Sequence, residues 1–91
     1  MALSAREAAL RTLGAFRKSG AWSDVYLDSI IKKEGLDARD AALASRICYG
    51  VLQNKILCDY YISVFSSVRL SKIEPVVLDI LELSVYQLLF L

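Results

Sequence analysis

Between Ala41 and Leu52 the chain reads AALASRICYGVL, and at helical spacing this stretch is apolar over most of its circumference. Only a thin polar strip of Arg39, Arg46 and Gln53 interrupts it. A helix with almost no wet side belongs at the centre of a bundle, so other helices must surround it. The flanking sequence supplies them. No segment alternates apolar and polar residues as a half-buried strand does, and no Asn-Gly or Asp-Gly hairpin turn occurs. The expectation is an all-α fold, an orthogonal bundle of about five helices, with residues 1–91 forming one domain.

Start and stop signals place the helices. Ser4-Ala5-Arg6-Glu7 has the spacing of a capping box, in which the Ser4 hydroxyl accepts from the Glu7 amide. Ala5, Ala9, Leu13 and Phe16 make the buried stripe of a first helix, and Gly20 suits the left-handed residue past its end. Ser23 or Asp24 can cap a second helix with Leu27, Ile30 and Ile31 facing inward, Lys32 and Lys33 at its negative end, and Gly35 closing it. Asp37 caps the third helix. Leu57, Tyr60, Tyr61, Val64 and Phe65 repeat at the three-four spacing of a fourth, which ends at Ser66-Ser67. Pro75 fits the first turn of a fifth, where its missing N–H is no loss. On that helix Val77, Ile80, Leu81, Ser84 and Leu88 share one face, while Val76, Leu83, Tyr86 and Phe90 lie outside it. One small bundle does not easily bury both sides. The expectation is that Leu88 turns into the domain's own core and that Tyr86 and Phe90 meet a following domain, or a second copy in a homodimer.

A chain of 91 residues that is 56% hydrophobic, with one Pro and four Gly, is a packed globular domain rather than a disordered or collagenous one. Cys48 and Cys58 are too few for a disulfide scaffold and sit in apolar helical patterns, as reduced buried thiols do. The N-terminus lacks the basic and apolar regions of a secretory signal. Residues 76–91 carry Asp79, Glu82, Ser84 and Gln87, which argues against a membrane span. A cytoplasmic protein without a membrane partner is expected.

Solitary catalysis is not expected. The chain has no His, no glycine-rich phosphate loop and no third metal-ligating Cys, so neither a catalytic residue nor a metal site is assigned. Acidic neighbours such as Asp24 with Asp28 and Asp79 with Glu82 are read as solvated helix faces.

Cations remain. Net charge is only +1, but residues 1–18 hold Arg6, Arg11, Arg17 and Lys18 against Glu7, whereas residues 74–91 hold three acids and no base. At 100 degrees per residue Arg6 and Arg17 share one flank of the apolar stripe, while Arg11 and Lys18 lie at the back with Glu7. Glu7 and Arg11 can form an i,i+4 pair worth a few tenths of a kcal/mol. Guanidinium groups spaced along a helix can instead meet successive phosphates of an RNA, and Arg6, Arg11, Arg17, Lys18, Arg46 and Lys55 are the candidate RNA contacts.

The stretches SAREAAL (4–10), LDARDAALASRICYGVL (36–52) and LDILELSVYQLLFL (78–91) together resemble the NusB-like N-terminal domain of bacterial rRNA cytosine-C5 methyltransferases of the Sun/Fmu family. Asp40, Tyr49, Gly50, Pro75, Asp79, Tyr86 and Gln87 stand where that family's motifs have them. The resemblance implies an RNA-binding accessory domain that precedes an S-adenosylmethionine-dependent catalytic domain, with rRNA and that C-terminal domain as partners. No cofactor is expected in residues 1–91 themselves. Where members often carry a basic cluster this chain has Gln53, Asn54 and Lys55, and Glu82 replaces a common Arg. The NusB antitermination factor shares the fold, so an antitermination factor or protein-interaction module is the alternative.

Overall fold

The Ser4 hydroxyl accepts from the Glu7 amide at 3.1 Å, and the first helix, α1 (Ala5–Ser19), begins there. A computed structural model describes residues 4–22 and 24–91, and in it α1 is followed by α2 (Asp24–Lys33), α3 (Ala38–Gln53), α4 (Lys55–Phe65), a 3₁₀ turn (Leu70–Lys72) and α5 (Pro75–Phe90). The all-α architecture read from the sequence is the one observed, with no strand among the described residues. Gly20, at φ 75°, takes the left-handed conformation expected of it, and its amide donates to the Phe16 carbonyl at 2.8 Å. The Asp40 amide donates to the Asp37 carboxylate at 2.8 Å, which opens α3 as its spacing predicts. Of the two candidate caps of α2, Ser23 lies outside the described residues. Among the described residues Glu7 and Arg11 do not form the anticipated ion pair.

The chain divides into two compact units, residues 1–48 and 49–91. In the first, α1 packs on α2. Ala5, Ala8, Ala9, Thr12 and Leu13 of α1, Leu27 and Ile30 of α2, and Ala44, Ile47 and Cys48 of α3 are buried. The predicted stripes are therefore largely the real ones, with Phe16 of α1 and Ile31 of α2 only half-buried, and fully burying a side chain such as Leu27 is worth about 1.5–3 kcal/mol. Thr12 lies within the stripe without an unmade bond, because its hydroxyl donates to the Ala8 carbonyl at 2.8 Å. The Cys48 thiol donates to the Ala9 carbonyl at 3.7 Å. Phe16, near the end of α1, meets Trp22 edge to face, with ring centroids 6.1 Å apart, and the Trp22 indole donates to Asp24 at 2.8 Å.

In the second unit α4 packs on α5, and here the expected faces are overturned. Cys58 and Ile62 are the buried residues of α4, while Tyr60, Val64 and Phe65 are exposed. On α5 the buried residues are Asp79, Glu82, Leu83 and Tyr86, and Leu88, expected to point inward, is 85% exposed. Tyr86 does not project outward: it is 5% exposed and stacks on Phe90, with ring centroids 5.2 Å apart. The cause is local. Gly50 of α3 has no Cβ, and one added there would collide with the Tyr86 ring, so the glycine opens the slot that takes the tyrosine. Seating Tyr86 rotates α5 so that its more aliphatic side faces outward. Phe90, at 44% exposure, remains partly accessible.

Candidate nucleic-acid interface

Four of the six candidate cations stand on α1. Arg6, Arg11, Arg17 and Lys18 are all exposed, and Arg46 is exposed on the α3 portion of the same unit. The buried stripe of α1 fixes their directions, because all four lie outside it and are exposed. Arg6 and Arg17 stand eleven positions apart on one flank, about 16 Å at the rise of an α-helix. Arg11 and Lys18 stand seven apart on the back. Arg17 and Lys18 also lie in the last turn of α1, where the helix dipole favours cations. Arg6 and Arg17 each also interact with another group of the protein. Two rows of cations on one rigid helix can follow a phosphate backbone, and such contacts position a nucleic acid without reading its bases.

Lys55 belongs to a different environment. Its ammonium donates to Glu82 at 2.8 Å and to Asp59 at 3.0 Å, tying the first turn of α4 to α5. Burial alone would lower the lysine's pKa, but the two carboxylates outweigh it and hold the ammonium above its ordinary value. A phosphate approaching Lys55 meets two acids, so its charge is already committed within the protein.

The burial of these acids was invisible in the sequence. Glu82 of this cluster and Asp79, both read as solvated, are 5% and 6% exposed. Burial raises Glu82 first, the neighbouring Asp59 carboxylate adds to the shift, Lys55 opposes it, and Glu82 is pushed up to about 7. The Oδ1 atom of Asp59 is buried with no hydrogen-bond partner, and the neighbouring Glu82 carboxyl, when protonated, is a group able to donate to Asp59. The available signal was the Lys55, Asp59 spacing of four residues together with an acid on α5 between Leu83 and Asp79.

Neither thiol has the exposed, electropositive setting that activates a cysteine. Both cysteines are free and buried, burial pushes Cys48 up to about 12, and burial next to the Glu82 and Asp59 carboxylates raises Cys58. Among the described residues no group of three or more His, Cys, Asp or Glu side chains could hold a metal, and no helix is long and apolar enough to cross a membrane.

Comparison with known proteins gives these features a setting. Residues 3–91 match the model of the NusB family. The chain is 36% identical over 88 residues, 97% of its length, to a Bacillus subtilis strain 168 protein named as a probable ribosomal RNA small subunit methyltransferase B. It is also 36% identical over 85 residues, 93% of its length, to a Mycobacterium tuberculosis protein, found in two strains, whose name is that of a methyltransferase without a stated substrate. The chain spans about a fifth of the length of these relatives. No solved structure matches it.

Proposed function

This chain belongs to the NusB family, and from that premise we propose that it is the RNA-binding domain of an S-adenosylmethionine-dependent rRNA cytosine-C5 methyltransferase. It helps to position rRNA for a catalytic domain outside residues 1–91. The observation that carries this reading is the double row of exposed cations on α1, Arg6 with Arg17 and Arg11 with Lys18. Arg46 is the further candidate contact in that unit, and Lys55 is left out because Glu82 and Asp59 already engage it.

The chemistry of the chain agrees with a division of labour. It has no histidine, and its two thiols are buried and shifted toward the protonated form, so the attack on a cytosine ring falls to residues elsewhere. S-adenosylmethionine, the methyl donor of such a reaction, belongs with those residues. Two free buried thiols suit a reducing cytoplasmic setting. The relatives are methyltransferases by name, which favours this reading over an antitermination factor.

The test is affinity for a small-subunit rRNA stem-loop as a function of salt, measured on the full-length protein. Affinity should fall steeply with salt, and Arg6→Glu with Arg17→Glu should weaken binding at least tenfold and flatten the log–log slope by about two, one for each lost phosphate contact. Unchanged affinity and slope in the double variant would sink the assignment.

A further inference from the structure

Between the C-terminal half of α1 and the start of α2 the first unit holds a recess of about 210 Å³. Thr12, Ala15, Phe16 and Ser19 line it from α1, Ala21 from the connection and Tyr26 from α2. Two of its walls are therefore aromatic. Trp22, which does not line the recess, packs edge to face on Phe16 and is tied through its indole to Asp24, so the Phe16 ring is braced. The Thr12 hydroxyl donates to the Ala8 carbonyl, and the Ser19 hydroxyl donates to the Ala21 carbonyl at 2.9 Å and accepts from the Ala21 amide at 3.2 Å. Both hydroxyls are thus engaged locally, which leaves ring faces as the main surface on offer. The volume lies below the roughly 300–1,000 Å³ that encloses a whole ligand, and it suits one planar ring whose attachments stay outside.

The charges beside the recess identify that ring. Ala15 follows Arg11 by four residues and precedes Lys18 by three, spacings that make side chains neighbours on a helix, with Cβ atoms about 5–6 Å apart. The row of Arg11 and Lys18 therefore runs along the rim at Ala15, while Arg6 and Arg17 stand on the other flank of α1. Among the described residues neither Arg11 nor Lys18 forms an ion pair, so both are open to an anion. An aromatic slot next to two cations matches a nucleotide, whose base stacks on side-chain rings while its phosphates seek positive charge. A duplex keeps its bases stacked inside, so a base that enters is an unpaired one. We propose that the recess between α1 and α2 seats one unpaired base of the bound RNA against Phe16 and Tyr26, with Arg11 and Lys18 on the adjoining phosphates. Because Thr12 and Ser19 are already engaged, the base is held by its face, and the recess discriminates little among the four bases. The inference rests on reading residues 1–91 as an RNA-binding domain.

Two probes test it on the full-length protein: a uridine oligonucleotide of about twelve nucleotides, and an RNA duplex of similar length without an unpaired base. Tyr26 is 39% exposed, so its truncation does not empty the core. Tyr26→Ala should weaken binding of the oligonucleotide at least fivefold and leave its salt slope unchanged, because a stacking contact releases no counterion. Binding of the duplex should not change, and Tyr26→Phe, which keeps the ring, should restore the oligonucleotide's affinity. Arg11→Ala with Lys18→Ala should instead flatten the oligonucleotide's log–log salt slope by about 1.4, about 0.7 for each lost phosphate contact. Irradiating the complex after one uridine is replaced by 5-iodouridine should place a cross-link on Tyr26 or Phe16. Unchanged affinity of Tyr26→Ala for the oligonucleotide overturns the proposal, as does an equal loss with both RNAs or a set of cross-links confined to residues outside α1 and α2. Salt-dependent binding of both RNAs with no effect of Tyr26→Ala removes the base seat and leaves the functional assignment standing. If neither RNA is bound, both fall.

Discussion

In residues 1–48 most apolar side chains go in, Val25 and Tyr26 excepted, and the cations come out. Ala8, Leu13, Leu27 and Ile47 are buried, and eight of the eleven Lys and Arg residues of the chain lie in this half. In residues 49–91 much of this order is inverted: Asp79 and Glu82 are buried, while Phe65, Val64, Ile80 and Leu88 face outward. The difference shows what each surface suits. A unit that hides its apolar stripes and displays cations is finished as a folded object and ready for a polyanion. A unit that buries acids and displays aliphatic and aromatic groups has an apolar face still to be covered.

The sharpest way to break the comparison is to remove the residue that sets the inner face of the second unit. Tyr86→Ala should destabilise residues 1–91 by about 3–5 kcal/mol, the cost of emptying a buried aromatic site, as measured by urea unfolding. A loss below 1 kcal/mol would mean that Tyr86 does not hold α5 in this orientation. Gly50→Ala tests the same contact from the other side. Alanine is ordinarily the better helix former, yet its methyl has no room beside the Tyr86 ring, and a destabilisation of about 1–3 kcal/mol is expected. Pairing it with Tyr86→Ala should recover part of that loss, because the two changes share one space.

Protonation tests the inverted polarity. Glu82 is raised in the folded state from 4.5 to about 7, so between those pH values the folded protein holds a proton that the unfolded chain has released. The stability this group contributes is therefore fully present below pH 4.5 and is lost as pH rises to about 7, a decline on the order of 1–3 kcal/mol. Unfolding measured across that window should show the decline, and Glu82→Gln, which cannot titrate, should flatten it. An unchanged slope in the variant would assign the effect to another group. The smallest effect belongs to the outer face. Leu88→Ala in residues 1–91 should change stability by less than about 0.5 kcal/mol, since the side chain is already in solvent. A loss of 2 kcal/mol would show that α5 faces the other way.

The helices were legible because their signals are local. Ser4 with Glu7, Asp37 with Asp40, Gly20, Gly35 and Pro75 act within a turn of their own positions, and each stands where its chemistry predicts. The cation rows of α1 were legible too, because one clear apolar stripe leaves every other direction to solvent. The faces of α4 and α5 were not. Leu57, Tyr60, Tyr61, Val64 and Phe65 on one helix, and Val77, Ile80, Leu81 and Leu88 on the other, are apolar at the right spacing and yet mostly face outward. On a helix with apolar residues on both sides, periodicity does not say which side is inner. Buried acids are equally hidden, since an Asp or Glu reads as solvated until its partner is known.

The amino-acid sequence by itself determined an all-α domain of five helices, their boundaries, and a basic first helix, since caps, glycines and a single stripe are decided by neighbours three or four residues away. Tertiary structure alone decided that Tyr86 enters the slot left by Gly50, that Lys55 joins Asp59 to the buried Glu82, and that Leu88 is turned outward. Those outcomes depend on shape and charge brought together across tens of residues, where a missing methyl group and a matched ammonium weigh more than hydrophobicity counted along one helix.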